Sequence, residues 1–589
     1  DISLDDIKNF RQLHSKCAGH PEYGLAPGIE VTTGPLGQGA ANSVGMAMAE
    51  RWLQTYFNRP GNEIINYNIF AIAGDGCMME GISGESASLA GHLGLSNLVW
   101  LYDSNNITIE GETSLAFSED VAVRFKSYGW NVLHVQDAND LGALEKEIQA
   151  AIDEANRPSI IIVDSHIAYG SPNKQDSAGA HGSPLGEDEI RATKENYGWD
   201  PDKTFYVPDE VAKFKEDMVA KGAKLEEEWK EKMKAYAEAH PDLAKQFDMM
   251  QNCELPEDWE TIIPEFPADA KGLATRESSS KILNTIADKI PWFMGGSADL
   301  GPSTKTYIKE ASSFNKENYG GRNFHFGVRE HAMGAIINGM SLSKLRAYGA
   351  TFFVFSDYVR PAIRLSSLMK QPVVYIFTHD SIGVGEDGPT HQPVEHLASL
   401  RAMPGLDVIR PSDANELSVM WKYIMGLKDR PVALVLSRQG MPTLDRSKYA
   451  PADGALKGAY VLIESDGIPD VILIGTGSEM QICLDAYEQL ASEGINARVV
   501  SMPCCSLFQS QDKEYREKVL PRSVKARIVV EAGSTFGWHG YTGREDDCGI
   551  FGLKDFGASA PAGELYKEFG FTTERVVQVA KNVIKKNKK

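Results

Sequence analysis

Asn66-Tyr67-Asn68-Ile69-Phe70-Ala71-Ile72-Ala73-Gly74-Asp75-Gly76 decides the fold. An apolar run ends in Gly-Asp-Gly, and CMMEGISGESASLAGHL (77–93) follows with helical character. NLVWLYD (97–103) is a second buried strand, followed by Ser104-Asn105-Asn106-Ile107. WNVLHV (130–135) and SIIIVD (159–164) continue the alternation. Near-continuous apolar strands separated by helices require a parallel sheet covered on both faces. The region extends to about residue 186.

Outward from there, the chain repeats this class. PVVYIFTHD (372–380) is the clearest strand of a second α/β region, 271–460. DVILIGTGSE, ARVVSMP and RIVVEAG give the same rhythm in a third, 461–589. Between the first two lies a charged helical connector, 187–270, which includes VAKFKEDMVAKGAKLEEEWKEKMKAYAEAH (211–240) and reads as a solvated face. The expected fold class is α/β, with three domains, each a mainly parallel sheet covered by helices.

At 589 residues the chain exceeds what one core sustains. A net charge of −21 argues against a nucleic-acid or anionic-membrane surface, and any phosphate site must gather local Arg and His against that field. Seven cysteines (Cys17, Cys77, Cys253, Cys483, Cys504, Cys505, Cys548) with no CxxC pair argue against a disulfide framework or a zinc site. No apolar run reaches membrane-spanning length, and DISLDDIKNF lacks a signal core, so the expected location is cytoplasmic.

The two loops after the first two strands sit at carboxyl ends, where open α/β sheets bind ligands. A diphosphate needs backbone donors at close range and a hard cation with oxygen ligands. Asp75 offers a carboxylate, Asn105 an amide oxygen and Ile107 a carbonyl. A lone GDG is an ordinary strand-to-helix turn. Paired with Asn-Asn after the next strand, it resembles the signature of thiamine diphosphate enzymes. A further loop, THDSIGVGEDGPTHQP (378–393), places two histidines and acidic groups in glycine-rich chain after a buried strand. Ordering such a loop is costly unless it holds a ligand.

With Gly19-His20-Pro21-Glu22, TGPLGQG (33–39), GSADL (296–300), GVRE (327–330) and Ser437-Arg438-Gln439, the whole chain resembles transketolase. That resemblance implies reversible transfer of a two-carbon ketol unit from a ketose phosphate to an aldose phosphate, in the pentose phosphate pathway. It also implies thiamine diphosphate with Mg²⁺ or Ca²⁺, and a homodimer with sites between subunits. By it, 1–186 is the diphosphate domain and 271–460 the pyrimidine domain.

The resemblance assigns Glu330 to the aminopyrimidine ring, where it would stay protonated only if desolvated. Phe352 and Phe355 match the aromatic wall. Gly34, Pro35 and Leu36 match the loop over the cofactor. Gly76, Asn105, Asp299 and His181 match further cofactor contacts, His181 near both diphosphate and substrate. Asp75, Asn105 and Ile107 match the metal ligands. Arg276, Ser303, His379 and Arg438 match the phosphate-binding set, and guanidinium forks suit that anion. Asp299 and Asp387 match groups holding sugar hydroxyls; His20 and His391 match histidines beside the reacting carbons, and His391, with His20 and His379, would shuttle protons at the sugar oxygens. Glu80 and Glu85 match acidic residues near the subunit interface.

In the family, the pattern matched by GHPEYG follows roughly 80 further residues. Here the sequence opens at Asp1, which implies either a truncated gene product or a short form without two N-terminal histidine motifs. Gly84, Ser86 and His331 are smaller departures. Dihydroxyacetone synthase, which uses nearly the same residues, and a non-catalytic transketolase-like subunit are the alternatives.

Overall fold

The computed structural model describes residues 2–543 and 549–587. The chain forms two compact units: residues up to Glu254 with Ser312–Gly321 and Ala335–Leu345, and Leu255–Ala311 with Arg322–Gly334 and Arg346–Lys589.

In the first unit, β1 (Ile69–Gly74), β2 (Leu98–Ser104), β3 (Asn131–Val135) and β4 (Ser159–Asp164) form a sheet of order β1-β2-β4-β3. All three pairings are parallel. Strand β1 is an edge, and it leaves Phe70 exposed and Ile72 82% exposed. Aspartate caps fix the covering helices: Asp120 accepts from the Val123 N–H, and Asp140 from that of Ala143, both at 2.9 Å. Helix Gln38–Phe57 runs beside helical residues 335–342 because glycine sits at the contact; a Cβ on Gly45 would lie 1.9 Å from the Ile336 carbonyl oxygen. The 31-residue helix Asp209–Ala239 is mostly solvated, with only Tyr236 buried. Its hydroxyl donates to the Phe57 carbonyl at 2.7 Å.

The second unit contains two larger sheets. The first consists of β6 (Phe293–Ser297), β7 (Asn323–His325), β8 (Arg346–Phe352), β9 (Val374–Thr378), β10 (Asp407–Ile409) and β11 (Val432–Leu436). Its order is β10-β11-β9-β8-β6-β7, all parallel, with β8, β9 and β11 buried at every position. An antiparallel ribbon joins β5 (Asp269–Ala274) to β12 (Gly440–Thr443). The other sheet is β13 (Tyr460–Ile463), β14 (Val471–Gly475), β15 (Ala497–Ser501), β16 (Arg527–Ser534) and β17 (Gly549–Leu553), ordered β13-β15-β14-β16-β17. Only β13 runs antiparallel there.

Among the described residues, Cys17, Cys77, Cys253, Cys483, Cys504 and Cys505 are free thiols; Cys548 lies outside them. No helix among them is long and apolar enough to cross a membrane.

Candidate active site

In the first unit, β1 delivers Asp75 to the first turn of helix Asp75–Met79, and β2 delivers Asn105 and Asn106. Asp75 is 4% exposed. One of its carboxylate oxygens accepts from the Tyr102 hydroxyl at 2.6 Å, the other from the Asn106 N–H at 3.0 Å. Burial pushes the Asp75 carboxyl above its ordinary value, and those two hydrogen bonds oppose the shift. Among the described residues no cation pairs with it. Asn106 adopts φ 61°, which aims its N–H at Asp75. The Asn105 side-chain oxygen accepts from the Ile107 N–H at 3.0 Å. Asp75, Asn105 and the Ile107 carbonyl thus offer only oxygen donors.

The 33–39 loop lies against this turn. A Cβ on Gly76 would come 2.7 Å from Leu36 Cδ1, and one on Gly37 (φ 78°) 2.5 Å from Ile82 Cγ2. His20 packs its ring against Gly34, 3.4 Å from where a Cβ would stand. The structure therefore brings Gly34, Leu36, Gly76 and His20 together as two contacts of one loop. Glu80 precedes helix Gly81–Leu93 and is exposed; Glu85, within it, is half-buried. His181 is exposed at the end of the short turn Ala178–Ala180.

In the second unit, residues far apart in sequence converge. The His379 ring lies 3.7 Å from that of Phe352, which stacks on Phe355 at 6.1 Å. His391 meets Phe355 edge-on at 5.6 Å and Phe352 at 6.5 Å. The Thr378 hydroxyl sits 2.8 Å from His379 Nδ1, and that of Thr390 3.0 Å from His391 Nδ1. These contacts occupy Nδ1 of each ring and leave Nε2 for a ligand. His379 is 4% exposed with φ 63°. Burial first, then the charges of Arg276, Arg438 and His391, lower its pKa to about 3, so the ring is neutral at physiological pH.

Arg276 is half-buried and donates to the Ser303 carbonyl at 2.8 Å, while its Nε is buried without a partner. Its pKa is lowered by burial and by the Arg438 charge. Arg438 is exposed. Among the described residues neither guanidinium forms an ion pair. Two guanidinium groups that form no ion pair among the described residues thus lie near a neutral imidazole, in a chain of net charge −21. Ser303 contributes its carbonyl here, a role its hydroxyl did not suggest. Asp299 (φ 61°) and Asp387 are exposed on their loops. Glu330 opens helix Glu330–Leu342 and is half-buried, short of the burial expected for it.

Sequence reasoning missed a buried ionic group around Arg410, which meets Asp380 and Glu479. Glu479 belongs to the GTGSE turn (475–479), so that turn encloses a guanidinium. The only signal was a charged residue beside glycine at a strand end.

Comparison with known proteins gives the class first. Residues 1–256 match the transketolase thiamine diphosphate binding domain, 271–443 the transketolase pyrimidine binding domain, and 458–572 the transketolase-like C-terminal domain. The chain is a thiamine diphosphate-binding enzyme. It is 51% identical to transketolases from Halalkalibacterium halodurans (99% of this chain, 87% of that protein) and Geobacillus stearothermophilus (100% and 88%). A Pichia stipitis transketolase solved with sedoheptulose 7-phosphate superposes with a TM-score of 0.96 at 42% identity, covering 100% of this chain and 86% of that one. The chain belongs to the transketolase family, and its activity is that of a ketol transferase.

Proposed function

We propose that the chain transfers a two-carbon ketol unit from a ketose phosphate such as xylulose 5-phosphate to an aldose phosphate such as ribose 5-phosphate or erythrose 4-phosphate. The single observation that carries this substrate class is the pair Arg276 and Arg438, which form no ion pair among the described residues and whose charges both act on His379. Sugar phosphates bound to the Pichia stipitis relative support the same class.

The residues of the first unit fit a diphosphate and its cation. Asp75 is a buried carboxylate that pairs with no cation among the described residues, Asn105 and Ile107 add an amide and a carbonyl oxygen, and Gly76 and Gly37 allow close approach. Asp75, Asn105 and the Ile107 carbonyl would hold Mg²⁺ or Ca²⁺, and Gly34, Pro35, Leu36, Gly76, Glu80 and His181 would line the cofactor. Bound there, thiamine diphosphate supplies the electron sink for breaking the carbon–carbon bond next to a ketose carbonyl. Glu330, half-buried in the chain itself, would be desolvated further by a bound aminopyrimidine and so hold a proton there, and Phe352 and Phe355 would exclude water from that ring. His379, neutral and with Nδ1 occupied by Thr378, exchanges a hydrogen bond with a sugar hydroxyl without placing charge beside it. His391 and His20 move protons at the reacting oxygens. Asp299 and Asp387 orient hydroxyls, and Arg276, Ser303 and Arg438 seat the phosphate. The family resemblance supports a homodimer with Glu80 and Glu85 near the subunit contact, and the expected location is cytoplasmic.

The test is donor discrimination. The account expects kcat/KM for xylulose 5-phosphate to exceed that for hydroxypyruvate, and Arg276→Ala to erase most of the difference. A wild-type enzyme indifferent to the phosphate would refute the substrate class.

A further inference from the structure

The last sheet reaches the loop 379–393 through buried charge. Strand β14 runs into Thr476-Gly477-Ser478-Glu479. Gly477 adopts φ 55°, and a Cβ there would lie 2.5 Å from the Arg410 guanidinium carbon, so the turn is shaped to that group. The Arg410 side chain is 0% exposed. Its Nε donates to Asp380 Oδ2 at 2.9 Å. One terminal nitrogen donates to Glu479 Oε2 at 2.5 Å and to the Thr476 carbonyl at 3.1 Å. The Tyr566 hydroxyl donates to Glu479 Oε1 at 2.6 Å and lies 3.2 Å from Ser381 Oγ. Ser381 Oγ accepts from the Gly383 N–H at 3.2 Å and so closes the short turn Ile382–Val384. At the far end of the loop, the Gln392 amide donates to the carbonyls of Gly385 and Ala558, both at 2.9 Å.

The loop is thus pinned at its start by Asp380 and Ser381 and at its end by Gln392. His379 immediately precedes Asp380 and holds a left-handed backbone that a non-glycine residue keeps only when its surroundings impose it. Burying one guanidinium with two carboxylates is a poor way to gain stability, because desolvation cancels most of the attraction. Such a cluster gives a specified geometry instead. The uneven state of the two acids agrees: burial raises the Asp380 carboxyl, whereas Arg410 and Tyr566 outweigh burial and hold Glu479 low.

We infer that Arg410, Asp380, Glu479 and Tyr566 are positioning residues for donor binding: they set the loop that carries His379, Asp387 and His391, and they make the last sheet part of the substrate site. The inference rests on 379–393 being the substrate loop, as proposed above. The candidate diphosphate and cation ligands belong to a different loop set, 33–39 and 74–107, so anchoring of the diphosphate does not depend on this cluster, although Phe352 and Phe355 pack on His379 and His391.

The experiment uses the full enzyme with thiamine diphosphate and Mg²⁺, and two variants outside the proposed sugar contacts, Tyr566→Phe and Glu479→Gln. Measured are kcat and KM for xylulose 5-phosphate, the Kd for thiamine diphosphate, and Tm. Tyr566→Phe keeps the ring and removes only the hydroxyl, so it stays informative even where Glu479→Gln fails to fold. The expected result is a fall in kcat/KM of about 10-fold, mainly through KM, with cofactor Kd unchanged within about twofold. Wild-type values for a folded Tyr566→Phe would overturn the inference. So would a fall in Tm and in active fraction with KM unchanged, the mark of a purely structural role. Wild-type enzyme that binds cofactor but leaves xylulose 5-phosphate unreacted would overturn the substrate reading, and this inference with it.

Discussion

Replacing Arg438 or Arg276 with alanine should separate phosphorylated from unphosphorylated donors, and unequally. Arg438 is exposed, so water and salt screen its attraction to a phosphate. Losing one charge-assisted bond at that exposure amounts to about 1.4 kcal/mol, or about 10-fold in kcat/KM. Arg276 is half-buried, keeps a buried Nε without a partner, and is already desolvated enough to lower its pKa. A phosphate there meets a donor that water no longer satisfies, so Arg276→Ala should lose about 2.7 kcal/mol, or about 100-fold. Hydroxypyruvate, which has no phosphate, should change by no more than about twofold for either variant. A second readout needs no turnover: inorganic phosphate should raise the Tm of the wild type and lose that effect in Arg276→Ala. Steady-state kinetics with both donors, at two ionic strengths, provide the assay. Equal losses on the two donors, or a larger loss for exposed Arg438 than for Arg276, would refute the reasoning.

Three more outcomes follow from the geometry. His379 is buried neutral, so its folded pKa lies below its unfolded one; the unfolded chain takes up the proton first, and stability falls as pH drops from about 6.5 toward about 3. Chemical denaturation should show the deficit of His379→Asn relative to wild type shrinking by about 2 kcal/mol between pH 7.5 and pH 5; a pH-independent deficit would contradict it. Gly37→Ala forces a side chain into φ 78° and toward Ile82, so the Kd for thiamine diphosphate should rise about 10-fold by calorimetry while folding persists. Asp75→Asn removes a buried carboxylate that pairs with no cation among the described residues, so Mg²⁺-dependent cofactor binding should vanish in titration while Tm changes by no more than a few degrees; retained Mg²⁺ dependence would remove Asp75 from the cation site.

The strands were legible because strands of a helix-covered parallel sheet read as near-continuous apolar runs, even at the edge strand β1, where Ile72 is exposed. NYNIFAIAG, WNVLHV and SIIIVD contain β1, β3 and β4, and NLVWLYD covers β2 but for its last residue, Ser104. Asp75 and Asn105 were legible too, because the ends of neighbouring strands β1 and β2 must lie side by side. The ribbon of β5 and β12 was not, since DAKGLA and GMPT carry glycine or proline and no alternation. The convergence of Phe352, Phe355, His379 and His391 arises from the adjacency of β8 and β9, which periodicity does not specify; resemblance supplied it. Arg410 was invisible for a physical reason. A lone arginine after a short strand reads as surface charge, and only the folded chain shows Asp380 and Glu479, 30 residues before it and 69 after, closing around it.

The central claim is tested most directly by mixing the enzyme, thiamine diphosphate and Mg²⁺ with xylulose 5-phosphate and ribose 5-phosphate, and following both products by mass. The account predicts a seven-carbon ketose phosphate and a three-carbon aldose phosphate in equal amounts, formed only when cofactor and cation are both present. Bound cofactor without two-carbon transfer, or transfer that persists after cofactor and metal are removed, would contradict it.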